Sequence, residues 1–348
     1  MKNRQLLKRA TAIIILFAML LPFGAKKGVL KVSAAESYVN LLIDNFEDGT
    51  IPGNQSAAVT VAGKSVYGGS YANDAFGFGK MADIGYGSKQ TSTQSVKYER
   101  NFENNFAAGE ANSFVEFEFD LGIYKKTMSQ MTLNFKSDGK QIGYLRWNTQ
   151  GGALDVHYDF ADSSKKTAAT SDRAKSSSAT ATNKIDHIKI IMQTTDSSGN
   201  PVNIFKSFII GDVVIAPSSD IAFTSNDVIN GFDLTVNPPR AGWSACDAGL
   251  NFDNLVITRY TSADGAAPAP DRYAFFKKMI EKHSEIQSAR NAEKISDEEY
   301  NELISVTENA ASVYASGITR ESFAAAEEAL DRISGRIAEI INRPLGGG

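Results

Sequence analysis

The stretch FVEFEFDL, residues 114–121, alternates apolar and acidic side chains without a break. This period of two is typical of a β-strand, because successive side chains of a strand point to opposite faces of the sheet. The apolar set is Val115, Phe117, Phe119 and Leu121, and the acidic set is Glu116, Glu118 and Asp120. We expect the apolar set to face a core and the acidic set to face solvent.

Further strand signals recur at short intervals between residues 36 and 262. MTLNFKSDGKQIGYLRW, residues 131–147, predicts a hairpin around Asp138-Gly139, and ALDVHYDF, residues 153–160, predicts the strand that follows. Many short strands joined by polar turns are typical of two antiparallel sheets packed face to face. We therefore expect a mainly β fold, a two-sheet antiparallel jelly-roll sandwich over residues 36–262.

The composition changes after this predicted sandwich. Residues 263–271 are rich in Ala and Pro and are expected to form a linker. From residue 272 apolar residues recur at helical spacing, and Ser296 with Glu299 has the pattern of a capping box. The sequence thus predicts a small three-helix bundle over residues 272–343, followed by a tail at residues 344–348.

The first 35 residues have the three parts of a secretory signal: a basic start, an apolar run and small residues. Cleavage is expected after Ala34 or Ala35. An uncleaved membrane anchor is the alternative, although the apolar run falls short of the ~20 residues that a spanning helix needs. We expect a secreted, extracellular protein, either free or associated with the cell surface.

Removal of this signal leaves an acidic chain. The sequence has 36 Lys+Arg and 40 Asp+Glu, and seven of the bases lie in residues 1–35, so the remainder carries 29 minus 40, or −11. This charge disfavours nucleic acid and anionic lipid as partners, and we expect no membrane insertion after cleavage. Cys246 is the single cysteine, so no intramolecular disulfide is possible, which for a secreted chain favours a Gram-positive bacterium.

Acidic residues follow the predicted first strand, in LLIDNFEDGT at residues 41–50, and enter the last, in LNFDNLVITRY at residues 250–260. The first and last strands of a jelly roll are often neighbours, so these oxygens are candidates for a structural Ca²⁺ site. The candidate ligands are Glu47, Asp48 and Asp253, with Asp44 and Asn251 in outer positions. The alternative is plain turn and capping chemistry.

A register argument predicts where a ligand would bind. If Asp138 and Gly139 form a two-residue turn, Phe135 pairs with Ile142, and Leu133 pairs with Tyr144 on the core face. The opposite face would then carry an aromatic plate among polar groups, an arrangement that binds sugars. The predicted groove is formed by Asn134, Trp147, Asp155 and His157. Two alternatives stay open: the loop 161–183 covers Trp147, or a one-residue bulge reverses the faces.

The stretches LLIDNFEDGT and LNFDNLVITRY resemble the bracketing strands of secreted bacterial carbohydrate-binding jelly-roll modules, which are similar to concanavalin-like and galactose-binding-like sandwiches. The resemblance implies polysaccharide binding and a structural calcium ion held at Phe46-Glu47 and Asp253. YASGITRESFAAAEEAL, near the C-terminus, is similar to helical spacer modules of the FIVAR type in Gram-positive surface proteins. This second resemblance implies a bundle that holds the sandwich off a surface or a partner protein.

We therefore expect a non-catalytic protein that binds a polysaccharide or cell-wall glycan, with a surface protein as a further partner of the bundle. One alternative is a structural or adhesive surface protein that binds protein or assembles with itself. Another is a divergent polysaccharide lyase or glycoside hydrolase. Glu116, Glu118 and Asp120 have a spacing that paired catalytic carboxylates use, but a solvated strand face accounts for the same pattern.

Overall fold

The chain divides into two compact units, Met1–Ala35 and Glu36–Gly348, and the computed structural model describes residues of the second. The described residues are 38–55, 59–67, 76–85, 95–105, 110–123, 130–148, 155–156, 159–162, 169–170, 174–175, 185–211, 213–215, 220–223, 225–237, 249–265, 271–316 and 320–343. The predicted signal peptide, His157 and most of the loop 161–183 lie outside them.

The described residues form eighteen strands. The first nine are β1 (Tyr38–Asp44), β2 (Asn54–Gln55), β3 (Val59–Tyr67), β4 (Phe76–Gly85), β5 (Val96–Asn101), β6 (Ser113–Ile123), β7 (Gln130–Ser137), β8 (Lys140–Asn148) and β9 (Asp155–Val156). The other nine are β10 (Asp159–Asp162), β11 (Ala169–Thr170), β12 (Ala174–Lys175), β13 (Ile185–Thr195), β14 (Pro201–Ile210), β15 (Val213–Ile215), β16 (Ile221–Ala222), β17 (Gly231–Asn237) and β18 (Gly249–Thr261).

Two large antiparallel sheets contain most of these strands. The nine-stranded sheet has the order β15-β14-β13-β6-β18-β4-β3, with β1 beside β18 and β16 beside β14. The seven-stranded sheet has the order β11-β10-β8-β7-β17-β5-β2, and β9 pairs with β12 in a small separate sheet. The first and last strands, β1 and β18, are neighbours as expected, with Asp44 opposite Leu255.

The core lies between the two large sheets. Val115, Phe117, Phe119 and Leu121 of β6 are buried there, as their alternation predicts. The ring of Phe117 lies 5.4 Å from that of Phe135 on β7, in the opposite sheet. Each such buried ring stabilises the sandwich by about 1.5–3 kcal/mol relative to exposure. The prediction of a mainly β, two-sheet fold followed by three helices is confirmed.

The β7–β8 hairpin contains a bulge that the predicted register lacks. Beyond it, each β7 residue pairs one position later on β8: Phe135 with Gly143, and Leu133 with Leu145. The predicted pairing of Leu133 with Tyr144 is therefore wrong. Because side chains alternate along a strand, this one-residue shift moves Tyr144 from the core face to the outer face.

The bulge lies next to Gly143, where the ring of Phe223 approaches the backbone closely. A Cβ atom at Gly143 would lie 2.3 Å from Cζ of Phe223, so only a glycine leaves room for this ring. Phe223 is itself buried and lies 6.0 Å from the ring of Phe135. Position 143 therefore faces the core, and the alternation on β8 is reset from there.

Three helices follow the sandwich: α1 (Arg272–Asn291), α2 (Asp297–Ser316) and α3 (Arg320–Ile341). The predicted capping box is confirmed, since Ser296 and Glu299 each bond the other's backbone N–H at 3.1 Å. Phe275, Tyr314 and Phe323 pack in the bundle core. No helix in the described part of the chain is long and apolar enough to span a bilayer.

The bundle packs against the outer face of the nine-stranded sheet. Tyr273 stacks on His187 of β13 with ring centroids 5.5 Å apart, and Asn45 donates to the carbonyl of Ala315 at 3.2 Å. The prediction that the acidic set of β6 faces solvent is therefore wrong. Under the helices, Glu116, Glu118 and Asp120 are 4%, 3% and 1% exposed.

Candidate functional site

The outer face of the seven-stranded sheet is the candidate ligand-binding surface, and we call it the polar sheet face. Its residues alternate with buried core residues on β5, β7, β8 and β17, which fixes them on the side away from the core. The polar sheet face comprises Lys97, Glu99, Thr132, Asn134, Lys136, Tyr144, Arg146, Asp233 and Thr235.

A hydrogen-bonded network centred on Asp233 organises the middle of this face. Asn134 donates to its Oδ1 at 2.6 Å, Thr235 donates to the same oxygen at 2.7 Å, and Lys136 pairs with Oδ2 at 2.8 Å. Lys136 also bonds Glu99, which pairs with Lys97 at 2.7 Å. Asp233 has three partners, and Lys136 and Glu99 have two each, which favours one arrangement of these three side chains before any ligand binds.

Beside this network lies the aromatic element of the face, Tyr144. The guanidinium carbon of Arg146 lies 4.9 Å from the centre of its ring, within the range of a cation–π contact. Tyr144 pairs with Asn134 across the hairpin, so the ring position adjoins the Asp233 network. Both Tyr144 and Arg146 are half-buried, which leaves part of each accessible.

The structure brings only part of the predicted groove together. Asn134 lies on the polar sheet face, as expected. Trp147 lies in β8 opposite Met131, whose side chain is buried, and the side chain of Trp147 lies outside the described residues. Asp155 lies in β9, which pairs with β12 rather than with the seven-stranded sheet, and His157 is not among the described residues.

Sequence reasoning missed Tyr144, Arg146 and Asp233 as residues of this face. Tyr144 and Arg146 lie on this face because of the bulge, the alternative that the sequence had left open. A glycine within a predicted strand, Gly143, is the signal that could have indicated it. Asp233 lies in the alternating segment GFDLTV, and this alternation could have predicted that its side chain points away from the core. Its position opposite Asn134 depends on β17 lying beside β7, which the sequence does not show.

In the early acidic stretch, Asp44 connects the two sheets through an ion pair with Arg100. Asp44 of β1 is 5% exposed and accepts from Arg100 of β5 at 2.8 Å and 3.0 Å. The hydroxyl of Tyr98 donates to the same carboxylate at 2.5 Å, and burial followed by this charge raises the pKa of Tyr98. Two hydrogen-bonded partners compensate the cost of burying Asp44.

The three predicted calcium ligands do not form a common site as they lie in the structure. Glu47 and Asp48 are exposed, whereas Asp253 is 1% exposed and accepts from the backbone of Asn254 at 2.8 Å. Burial raises the pKa of Glu47, and nearby Lys80 offsets part of this rise. Hydrogen bonds from Thr50 lower the pKa of Asp48, and the charge of Lys80 lowers it further. Among the described residues, no group of three His, Cys, Asp or Glu side chains is arranged to hold a metal ion.

A second cluster of titratable groups lies between the sheet and the helices. Asp120 is its centre: it accepts from Tyr314 of α2 at 3.0 Å and from Asn254 at 2.9 Å, and it lies 3.0 Å from Nδ1 of His187. Arg272 of α1 reaches Glu118 at 2.9 Å. We call Glu116, Glu118, Asp120, His187, Lys189, Arg272 and Tyr314 the buried ionic cluster.

Burial and mutual charge shift the pKa values in the buried ionic cluster. Burial, assisted by the charge of Glu118, raises the pKa of Glu116 to about 7. Burial acts the same way on Glu118, but the cations of Lys189, His187 and Arg272 outweigh it and hold the pKa of Glu118 low. Burial alone would lower the pKa of His187, yet Asp120 and Glu118 raise it to about 9. His187 is thus a cation paired with carboxylates at neutral pH.

Paired carboxylates of unequal pKa beside a histidine are typical of catalytic sites. Here the same groups form ion pairs with one another, His187 with Asp120 and both Lys189 and Arg272 with Glu118, and they lie under α1 and α2. Every titratable member except Lys189, which is half-buried, is less than a tenth exposed. The arrangement joins the bundle to the sheet, and it gives a substrate no approach in this conformation.

No protein-family model matches the chain, and no curated protein matches it. Among solved structures, the CBM2 module of the evolved Dit of Lactobacillus casei BL23 phage J-1 is 12% identical, with a TM-score of 0.38, covering 65% of this chain and 98% of that one. The catalytic domain of a glycoside hydrolase family 131 protein from Coprinopsis cinerea is 10% identical, with a TM-score of 0.32 and coverages of 66% and 100%.

A third solved structure is the alginate lyase vAL-1 from Chlorella virus, 10% identical, with a TM-score of 0.33, covering 58% of this chain and 93% of that one. At these identities and TM-scores, the ligand and the chemistry of this chain have to be argued from its own residues.

Proposed function

We propose that this protein is a secreted, non-catalytic carbohydrate-binding protein that holds a polysaccharide on the polar sheet face. The observation that carries the proposal is the half-buried ring of Tyr144 beside Asn134, Glu99 and Thr235, the half-buried members of the network around Asp233. The apolar face of a sugar ring packs on an aromatic side chain, while fixed amide and carboxylate groups bond its hydroxyls. Prearrangement lowers the entropic cost of binding a flexible glycan.

The electrostatics of the face support binding rather than hydrolysis. A general acid for glycoside cleavage needs a carboxyl group whose pKa is raised towards neutrality. On the polar sheet face, hydrogen bonds from Lys136 and Lys97 instead lower the pKa of Glu99. Glu116 has the raised pKa that an acid would need, but it lies under the helices, on the other sheet.

Affinity measurements on single variants test the proposal. We expect the protein to bind at least one of a panel of neutral cell-wall polysaccharides in affinity electrophoresis and isothermal titration calorimetry. Tyr144→Ala should weaken this binding by about tenfold, which corresponds to a loss on the order of 1.4 kcal/mol. Tyr144→Phe retains the ring and should bind nearly as well as the wild type.

Three further outcomes separate this site from the alternatives. Loss of binding in Trp147→Ala, with Tyr144→Ala unaffected, would contradict the assignment to Tyr144 and favour the groove predicted from sequence. Concentration-dependent growth in size by light scattering, without any polysaccharide binding, would favour a self-assembling adhesive protein. Release of new reducing ends or of unsaturated sugars from the panel would contradict the non-catalytic role.

Calcium, secretion and a protein partner for the bundle stay predictions from the sequence. The carboxylates of Glu47, Asp48 and Asp253 do not converge, so no part of the proposed binding rests on calcium. Thermal unfolding in EDTA and in excess CaCl₂ tests the ion. A midpoint that rises with calcium in the wild type, but not in Asp253→Asn, would establish the site.

A further inference from the structure

A cleft on the nine-stranded sheet lies outside both the polar sheet face and the buried ionic cluster. It has a volume of about 370 Å³, at the lower end of the range for small-ligand sites. Its floor comes from β6, β13 and β14, and its wall from residues 263–265, which follow β18. It belongs to the opposite sheet from Tyr144 and is therefore a separate site.

The floor of the cleft is apolar and rigid. Phe114 is 5% exposed and stacks on Tyr260, with ring centroids 5.4 Å apart at an interplanar angle of 13°. Gly265 approaches so closely that a Cβ atom there would lie 3.3 Å from Cζ of Phe114. The hydroxyl of Tyr260 donates to the carbonyl of Gly265 at 3.1 Å, so floor and wall are tied together.

Neutral hydrogen-bonding groups surround this floor. Gln193 pairs with Phe114 across the strands and uses its amide N–H on the carbonyl of Thr195 at 2.9 Å, which leaves its amide oxygen as an acceptor. The side-chain amide of Asn112 makes no hydrogen bond to any residue that the structure describes. Ser207, opposite Ile191, adds a hydroxyl group.

Two lining residues at the rim carry charge. Lys206 is paired with Asp220 at 2.8 Å, and the carboxylate of Asp264 accepts from Ser262 at 2.6 Å. Among the described residues, the rim thus offers an anionic ligand no unpaired cation, and Asp264 can accept hydrogen bonds from a ligand's hydroxyl groups. Its chemistry suits a neutral, hydroxyl-rich ring.

We propose that this cleft binds a neutral sugar unit of one or two rings, independently of the polar sheet face. The C–H face of the ring lies on Ile191, which is half-buried, and on the small exposed part of Phe114, and Asn112 and Gln193 bond its hydroxyls. A protein with sugar sites on two opposite sheets can bridge two glycan chains, because each site retains its own ligand.

The test is a titration of ¹⁵N-labelled protein, residues 36–348, with glucose, galactose, N-acetylglucosamine and their β-linked disaccharides, and with glucuronic and galacturonic acid for comparison. The side-chain amide signals of Asn112 and Gln193, assigned from Asn112→Gly and Gln193→Ala, should shift in a saturable way with at least one sugar. Loss of one neutral hydrogen bond should weaken this binding by about threefold to tenfold in each variant.

A matched control guards against backbone effects. Asn112 has a φ of 52°, so glycine keeps its conformation, and Glu293→Gly makes the same kind of change at a φ of 53° in the turn between α1 and α2. We expect Glu293→Gly and Tyr144→Ala to leave the cleft titration unchanged. No saturable shift with any of these sugars, a shift only with glucuronic or galacturonic acid, or a titration unaffected by Asn112→Gly and Gln193→Ala would overturn the proposal.

Discussion

At the scale of single residues, the bulge beside Gly143 sets which side chains of β8 point away from the core. The ring of Phe223 occupies the space beside its backbone, and the bulge that results places Tyr144 and Arg146 on the polar sheet face. A larger residue would force either the ring or the strand to move. The glycine that leaves room for a core ring therefore lies beside the bulge that sets which residues of β8 belong to the polar sheet face.

We expect Gly143→Ala to lower the free energy of unfolding by about 1–3 kcal/mol, because the added methyl group overlaps the ring of Phe223. Urea denaturation followed by circular dichroism measures this. Gly335→Ala is the matched control: it lies inside α3 with nothing within 4 Å of the new methyl group and should raise stability by about 0.5–1 kcal/mol. Equal stability of Gly143→Ala and the wild type would contradict the account of the bulge.

At the scale of secondary-structure elements, β6 and the helices are joined by charge as well as by apolar packing. The acidic face of β6 is matched by His187 and Lys189 on β13 and by Arg272 and Tyr314 on the helices. A buried ion pair contributes little net stability compared with an apolar pair, but breaking one partner is costly. Removal of one partner from the cluster is therefore expected to cost more stability than the intact cluster contributes.

The buried ionic cluster makes stability depend on pH. The pKa of His187 is raised from 6.5 to about 9, so its contribution is complete below pH 6.5 and is lost as pH rises through about 9. The raised pKa of Glu116 adds a further decline between about pH 4.5 and 7. We expect the free energy of unfolding to fall between pH 6.5 and 9 by an amount on the order of 3 kcal/mol from His187.

Denaturation at several pH values, for the wild type and for His187→Gln, measures this effect. The difference between the two proteins isolates the histidine, because other groups titrate in both. The difference should be largest below pH 6.5 and should shrink towards pH 9. A difference that does not vary with pH would show that His187 is neutral in the folded protein.

At the scale of the whole molecule, the sandwich and the bundle belong to one compact unit, residues 36–348. Tyr273, at the start of α1, stacks on His187 of the nine-stranded sheet. The resemblance to a spacer module implies a bundle that holds the sandwich off a surface or a partner protein, and this stays a prediction. The interface between the bundle and the sheet buries the charged side chains of Glu118 and Arg272, which pair at 2.9 Å.

We expect residues 36–348 to unfold in a single cooperative transition in differential scanning calorimetry, with the van't Hoff enthalpy equal to the calorimetric enthalpy. Tyr314→Phe, which removes one hydroxyl that bonds Asp120, should lower this shared midpoint. Two separate transitions, with only the one from the helices sensitive to Tyr314→Phe, would show that the bundle folds independently.

The sequence by itself determined the local elements. The alternation in residues 114–121 predicted β6 and its two faces, and Ser296 with Glu299 predicted the start of α2, because side-chain period and capping depend on neighbours within a few positions. The adjacency of β1 and β18 followed from the expected fold class. Asn134 was placed on the correct face because the bulge changes β8 and leaves β7 as predicted.

The tertiary structure alone decided what packs against each face. Periodicity shows which residues share a face, but the helices that cover Glu116, Glu118 and Asp120 come from more than 150 residues further along the chain. In the same way Phe223, 80 positions beyond Gly143, resets the register of β8. Contacts between distant segments are a property of the folded chain, and a pattern read along the sequence does not contain them.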